Sequence, residues 1–304
     1  MRLLAIASFI SACLLFAACQ NQTNSNDTTL RTGNVNLVAD ESFAPIIEDQ
    51  AYVFESTYTE GKLNLIFKPE NEVLKLFLTD SVRVAILPRE LSAEEAKFYE
   101  NKNIRLRVNR FAVDGIALIT QRTNPESLVT VAEINSIMQG KEGAIKSLVF
   151  DNPNSSTVRF MKELAGIKEL PAKGVYALKS NPDVIRYVNE NPGSIGVIGI
   201  NWIVQPDEEL EKIVSGLKVM GVKNLPGKPG SDGFYKPNQN DLAMEIYPLT
   251  RNLYIINGEG KAGLGTGFAS FLAGERGQRI VLKSGLLPDS IPSRQVIIKQ
   301  NFNN

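Results

Sequence analysis

The 304-residue sequence contains no histidine, and its two cysteines, Cys13 and Cys19, both lie near the amino terminus. Without imidazole, a chain cannot form a Ser-His or Cys-His nucleophile pair. Without cysteine or histidine in its body, it cannot form a disulfide framework or a Cys or His zinc site. These absences remove much of the catalytic repertoire, and any function must be built without imidazole.

An excess of charge of either sign is also absent, because 33 lysines and arginines balance 33 aspartates and glutamates. Nucleic acids and anionic membrane surfaces select proteins with a surplus of basic residues. The composition therefore argues against both as the main partner.

The start of the chain has the pattern of an export signal. Arg2 precedes an apolar segment, residues 3–16, that is too short to span a membrane stably, and two alanines precede Cys19. Small residues followed directly by a cysteine resemble the bacterial lipoprotein signal. We predict that residues 1–18 are a signal peptide and that Cys19 carries a lipid, with an uncleaved anchor helix as the alternative.

A lipid on Cys19 would hold the protein outside the cytoplasm, in the periplasm or at the surface of a bacterial cell. Residues 19–33 are polar, and we predict that they form a tether with a reach of roughly 20 Å. The rest of the chain is long enough for two lobes, because longer chains usually divide into units of about 50–200 residues.

Short apolar runs alternate with amphipathic segments through the body of the chain. The runs predicted as strands are residues 35–39, 62–67, 82–87, 148–150 and 195–200. Strands that are apolar throughout and separated by helices predict parallel βαβ units with both faces of the sheet covered. The sequence therefore predicts an α/β fold.

The division into lobes rests on one extended run, residues 104–120, which is long enough to cross between them. The predicted segments are lobe 1 over 34–112, lobe 2 over 113–240, and a return to lobe 1 over 241–304. We also predict a long surface loop over residues 222–241, which are rich in proline and glycine, and one amphipathic helix over residues 267–284.

The candidate site is predicted at the ends of strands. Ligands of open α/β sheets bind outside the carboxyl ends of the strands, where the N–H groups of helix starts face outward. Three predicted strand–helix junctions have this position: residues 38–42, 87–92 and 150–157. The adjacent hydroxyls of Ser155, Ser156 and Thr157 suit a small oxyanion, and simple helix capping is the alternative.

Several segments in this order and spacing make the chain recognisable. They are residues 112–119, 155–157, 195–197, 247–254 and 271–278. Together they resemble the phosphate-binding protein of bacterial ABC phosphate transporters, and the resemblance covers nearly everything after Val35. It implies a type 2 periplasmic-binding fold with two lobes. Each lobe has a mainly parallel sheet flanked by helices, and the two lobes close over one dehydrated phosphate.

The resemblance also implies site residues. By position, Ser42 and the backbone amide of Phe43 match the family's first helix-start contact. Ser155, Ser156 and Thr157 match its Ser-Gly-Thr loop, with Ser156 in place of the glycine. In the family, hydroxyls, main-chain amides, one arginine and one carboxylate hold the phosphate.

Two positions depart from the family pattern. Asp151 stands where the family has its arginine, and Arg89 lies in the loop that carries the family's aspartate. We hypothesise a charge swap, in which Arg89 binds the anion and Asp151 accepts a proton of monohydrogen phosphate, so that sulfate is rejected. The alternative is an ordinary ion pair between Arg89 and Asp151 and a pocket for another ligand.

Two further acidic residues are interpreted as structural. Glu70 lies where the family has a serine, and we interpret it as part of a solvated helix start. Asp114 lies in the crossing segment, and we leave it out of the predicted contacts.

The resemblance implies a monomeric solute-binding lipoprotein that captures inorganic phosphate, or a similar oxyanion, for an ABC permease. Such a protein is expected to perform no catalysis and to use no metal or cofactor. One alternative is an oxyanion sensor or interaction lipoprotein on the same fold, which does not transport. An enzyme finds little support, because the dinucleotide-like spacing of Gly258, Gly260 and Gly263 lacks the following strand with its terminal acid. We interpret that segment as a glycine-rich turn.

Overall fold

The computed structural model describes residues 28–290. The predicted signal peptide, the predicted lipid site at Cys19 and residues 291–304 lie outside the described residues. Within residues 28–290, no helix is long and apolar enough to cross a membrane.

Strands and helices alternate along most of the chain. The strands are β1 (Gly33–Asp40), β2 (Gly61–Lys68), β3 (Val84–Leu87), β4 (Arg107–Gln121), β5 (Leu128–Thr130), β6 (Leu148–Phe150), β7 (Val175–Ala177), β8 (Ile195–Gly199), β9 (Leu217–Val219), β10 (Gly221–Lys223), β11 (Thr250–Asn257) and β12 (Leu287–Pro288). The helices are α1 (Ala44–Thr57), α2 (Glu70–Leu78), α3 (Ala93–Glu100), α4 (Val131–Met138), α5 (Ser156–Ala165), α6 (Asn181–Glu190), α7 (Asn201–Val204), α8 (Glu208–Ser215), α9 (Gln239–Ala243), α10 (Leu264–Ala273) and α11 (Glu275–Lys283). A single 3-10 turn, Glu41–Phe43, joins β1 to α1.

The long strand β4 joins the two halves of the molecule. The main sheet has the order β2-β1-β3-β11-β4-β8-β6-β7. The first part of β4 pairs with β11, and its last part pairs with β8 and β9, antiparallel in each case. The predicted crossing run, residues 104–120, corresponds to β4, and the predicted lobe boundary at 112/113 lies within this strand.

Each half has a parallel group of strands, as the apolar runs predict. Strands β1, β2 and β3 are parallel in the first lobe, and β6, β7 and β8 are parallel in the second. All residues of β3, β6 and β8 are buried, which explains why these runs are apolar throughout rather than alternating.

The C-terminal helices pack on the first lobe. The ring of Phe54 in α1 meets Phe268 and Phe271 of α10 edge to face, with ring centroids 5.3 and 5.5 Å apart. Edge-to-face pairs of this kind stabilise a core beyond the area that they bury. The chain therefore returns to the first lobe after it has built the second.

Two predictions about the C-terminal third are corrected. The single helix over 267–284 is wrong, because the extended backbone of Gly274 ends α10 and starts α11. Gly277 then lies so close to the end of α10 that a Cβ on it would come within 2.3 Å of the Phe271 carbonyl oxygen. The predicted loop over 222–241 is irregular in its middle, but β10 pairs with β5 at its start and α9 begins at Gln239.

Candidate ligand-binding cleft

Two of the three predicted junctions meet in the cleft between the lobes. The Ser42 hydroxyl lies 3.4 Å from Asp151 Oδ2 and 3.5 Å from Ser156 Oγ, and all three residues are fully buried. Ser42 belongs to the first lobe and the other two to the second. A small ligand at this point would be held by both lobes.

Local hydrogen bonds position the hydroxyls at each junction. The Asp40 carboxylate accepts from the Ser42 backbone N–H at 2.9 Å, which shapes the turn after β1. In the second lobe, Ser155 caps α5 by accepting from the Val158 N–H at 3.2 Å. Capping therefore accounts for Ser155, but not for Ser156, the first residue inside the helix.

The arginine at the centre of this group is Arg251, from β11. Its Nη1 donates to Ser156 Oγ at 2.8 Å and to Thr157 Oγ1 at 3.3 Å. Its Nε and Nη2 donate to Asp114 Oδ2 at 3.1 and 2.5 Å. The guanidinium carbon lies 4.8 Å from the centre of the Phe43 ring, a cation–π distance.

We name Arg251, Asp114, Ser42, Ser156 and Thr157 the Arg251 cluster. The sequence reasoning missed Arg251, although it lies within one of the segments that carried the family resemblance. In the sequence, Asp114 is a single charge within an apolar stretch, but Arg251 lies between the polar Thr250 and Asn252, and the two face each other only in the β4–β11 register. Opposite charges in two buried strands indicate a cross-strand ion pair.

Asp151 has an ordering role in the structure. Its Oδ1 accepts from the Asn152 N–H at 2.9 Å and from Ser155 Oγ at 2.6 Å. Its Oδ2 accepts from Ser42 Oγ at 3.4 Å and from Asn181 Nδ2 at 3.1 Å. Burial raises the pKa of Asp151, and these donors oppose that rise. Four donors occupy the acceptor sites of a carboxylate.

Asp40 differs from Asp151 in having a free acceptor. Within the described part of the chain, its Oδ2 has no hydrogen-bond partner, although the residue is fully buried. Burial raises the pKa of Asp40 to about 6, and the nearby Arg251 guanidinium limits the rise. Asp40 therefore retains an unpaired acceptor atom, whereas both oxygens of Asp151 have donors.

Arg89 does not lie in the Arg251 cluster. Its Nε donates to Glu70 Oε1 at 2.7 Å, and its Nη1 and Nη2 donate to the Glu95 carboxylate at 2.8 and 2.9 Å. Hydrogen bonds from Arg89 lower the pKa of Glu95 to about 2. The structure therefore supports neither the charge swap nor an ion pair between Arg89 and Asp151.

The prediction that Glu70 is solvated is wrong. Its side chain is 1% exposed and also accepts from Arg159 Nε at 2.8 Å, across the cleft. The first turn of α2 faces α5 of the other lobe, so a carboxylate there meets a guanidinium instead of water. We name Glu70, Arg89 and Arg159 the Glu70 cluster.

The cleft opens on two sides that differ in charge. On one side, a cavity of about 370 Å³ has three basic lining residues, Arg89, Arg159 and Arg251, and one acidic one, Glu90. On the other side, a cavity of about 750 Å³ has five acidic lining residues and, among the described residues, no basic one. No group of acidic residues within 28–290 has the arrangement of a metal site.

Fold and cleft together define a two-lobed binding protein of the periplasmic-binding type, with its site between the lobes. A family model described as a PBP superfamily domain matches residues 23–276. The chain belongs to this superfamily.

Two curated relatives span nearly the whole chain. Phosphate-binding protein PstS of Staphylococcus saprophyticus is 23% identical over 273 residues, covering 86% of this chain and 82% of the relative. Phosphate-binding protein PstS of Borreliella burgdorferi is 21% identical over 308 residues, covering 94% of this chain and 99% of the relative.

Solved structures show the same fold. A substrate-binding protein from Clostridium perfringens, solved with bound phosphate, aligns with a TM-score of 0.70 at 21% identity, covering 85% of this chain and 100% of that chain. An ABC-type phosphate transport receptor from Vibrio cholerae aligns with a TM-score of 0.63 at 18% identity, covering 84% and 100%. The α/β fold of the type 2 periplasmic-binding kind is therefore confirmed.

Proposed function

We propose that this protein captures inorganic phosphate outside the cytoplasm and delivers it to an ABC permease without transforming it. The observation that carries the proposal is the Arg251 cluster, in which a buried guanidinium and three hydroxyls from both lobes meet at the start of α5. The phosphate-binding relatives support the same function. Anchoring through a lipid on Cys19 and a monomeric state belong to this proposal.

The start of α5 suits an oxyanion for a physical reason. The first N–H groups of a helix have no partner within it, and the helix dipole adds positive potential at the same end. Ser156 and Thr157 lie in this first turn, and Arg251 adds a fork of charged donors. The proposed contacts are Ser42, the Phe43 amide, Ser155, Ser156, Thr157 and Arg251, with Asp151 ordering the hydroxyls and Asp40 as proton acceptor.

Sharing of the ligand between lobes connects binding to closure. Ser42 lies on one lobe and Ser156 on the other, so a ligand that contacts both stabilises the closed form more than an open one. A permease could then distinguish the loaded protein by its shape.

Thermal melting of the purified protein tests the proposal after bound phosphate has been stripped. Ligand at about 1,000 times its Kd adds about 4.1 kcal/mol, which shifts the Tm of a chain this size by roughly ten degrees. We expect this shift with phosphate and arsenate and not with sulfate. Ser156→Ala should reduce it, whereas the control Ser270→Ala, at an exposed position of α10, should leave it unchanged.

A protein that melts at the same temperature with every oxyanion would contradict the proposal. That result would also exclude an oxyanion sensor and would leave an interaction lipoprotein on the same fold. Oxyanion binding in the absence of a permease partner would instead favour the sensor over transport.

A further inference from the structure

Asn201 is a buried polar residue that the contacts described so far do not explain. It lies two residues after the end of β8 and starts α7, and it is 0% exposed. Within residues 28–290, neither Oδ1 nor Nδ2 of its amide has a hydrogen-bond partner. A buried amide without partners costs free energy, so such a group in a binding protein indicates contact with a ligand.

The Asn201 amide faces the same space as the Arg251 cluster. A Cβ placed on Gly199 would lie 2.6 Å from Asn201 Oδ1, 3.3 Å from the Ser42 carbonyl oxygen and 3.7 Å from Arg251 Nη2. The absence of a side chain at Gly199 therefore gives the amide its room beside the guanidinium.

The next residue keeps α7 against the opposite lobe. Trp202 Nε1 donates to the Ser42 carbonyl oxygen at 3.0 Å. Closure of the lobes and placement of the Asn201 amide therefore depend on the same contact.

The chemistry of the amide specifies what it can bind. A primary amide presents an acceptor and a donor side by side, so its best partner presents a donor and an acceptor in the same way. A protonated phosphate has both, as P–OH and P=O. Sulfate at neutral pH has acceptors only. Asp40, whose Oδ2 also has no partner within residues 28–290, adds a second acceptor for a proton of the ligand.

We propose that Asn201 is a specificity-determining residue of the cleft, whose amide binds the P–OH and P=O groups of a protonated phosphate and thereby discriminates against sulfate. This inference rests on the proposed capture of phosphate.

The test combines phosphate and sulfate affinities from calorimetry with the Tm of the ligand-free protein. Asn201→Leu has a similar shape and removes both polar atoms. We expect its phosphate affinity to fall at least about tenfold, because hydrogen bonds to a charged ligand are lost, while its ligand-free Tm rises, because a buried unpaired amide is gone. Asn240→Leu, at an exposed position of α9, is the matched control and should change neither quantity.

A second variant, Asn201→Asp, keeps the size and replaces the donor with an acceptor. We expect weak phosphate binding at pH 8, where the new carboxylate repels the anion, and partial recovery at pH 5.5, where protonation restores a donor. Recovery of phosphate affinity at low pH, measured relative to the unsubstituted protein and without a matching rise in the ligand-free Tm, is a result that a purely structural role of Asn201 would not produce.

The inference is overturned if Asn201→Leu keeps the phosphate affinity and the preference over sulfate. It is also overturned if the variant loses both ligands alike together with a lower ligand-free Tm, since Asn201 would then support the fold only. If the unsubstituted protein binds no phosphate, the proposed function itself is wrong. This result is distinct from the two outcomes for Asn201→Leu.

Discussion

The Arg251 cluster and the Glu70 cluster both join arginines to carboxylates at the cleft, and they differ in what the arginines contact. Arg251 donates to the Asp114 carboxylate through Nε, and it donates to the hydroxyls of Ser156 and Thr157 through Nη1. Arg89 donates to Glu70 and Glu95 with all three of its nitrogens engaged.

An arginine near a cleft is therefore not by itself an anion site. Hydroxyl partners can turn to a ligand and share the guanidinium with it, because they donate as well as accept. Carboxylate partners accept only, and they repel a second anion. The Arg251 cluster is therefore suited to bind a ligand, and the Glu70 cluster is suited to hold the lobes together.

We expect the largest change for phosphate affinity, which should depend on Arg251 and not on Arg89. In Arg251→Met, two or more charge-assisted hydrogen bonds to phosphate are lost, each contributing about 1.5–3 kcal/mol, so affinity should fall at least about a hundredfold. In Arg89→Met we expect a change of less than about threefold. Calorimetric titration with phosphate measures both.

Arg251→Met leaves Asp114 buried without its partner, which destabilises the protein. A double variant, Arg251→Met with Asp114→Leu, replaces both partners of the pair with apolar residues and should fold while still binding phosphate weakly. Equal losses in the Arg89 and Arg251 variants would refute the distinction between the two clusters.

The next effect concerns stability. Glu70→Gln removes a buried charge that faces Arg89 and Arg159, and breaking a buried pair on one side costs about 3–5 kcal/mol. We expect the free energy of unfolding in urea to fall by about this amount. Glu72→Gln, on the same helix with a half-exposed side chain, should change it by less than about 1 kcal/mol. Similar values for both variants would show that the Glu70 cluster does not hold the lobes together.

The smallest expected effect concerns Asp40, a buried carboxyl beside the Arg251 cluster. Because burial raises the pKa of Asp40 from 3.8 to about 6, the folded protein binds this proton more tightly than the unfolded chain does. Stability from this group is therefore present at low pH and is lost as pH rises from about 4 to 6. A shift of about two pKa units corresponds to about 3 kcal/mol.

Asp40→Asn should remove this dependence. We expect the ligand-free variant to be more stable than the unsubstituted protein at pH 8, by up to about 3 kcal/mol, and the two to be alike at pH 4. Urea unfolding at both pH values measures the difference. The same slope in both proteins would show that Asp40 does not titrate in this range.

Much of the fold was predictable from the sequence for a local reason. Strands buried on both faces must be apolar throughout, so β3 and β8 are recognisable in the sequence as apolar runs. A helix start favours residues that can cap it, such as Ser155. The break at Gly274 was not predictable, because the amphipathic pattern continues through it. Only the close packing of Gly277 on α10 requires the turn.

The site was predictable in part. Ser42, Asp151 and Ser156 come together as expected, since the carboxyl ends of strands share one edge of the sheet. The roles of the charged residues were not predictable, because Arg251 and Asp114 are 137 positions apart and Glu70 and Arg159 are 89 apart. Such pairs exist only after the strands and lobes have packed.

The amino-acid sequence alone sets which chemistry is possible, because composition limits the available side chains. It also sets which segments become strands, because burial on both faces requires apolar residues. The tertiary structure decided which charges meet. It placed Arg251 rather than Arg89 among the hydroxyls, buried Glu70 between two guanidiniums, and left the Asn201 amide facing the cleft. The physical reason is that the energy of a buried charge or amide depends on the neighbours that distant parts of the chain bring to it.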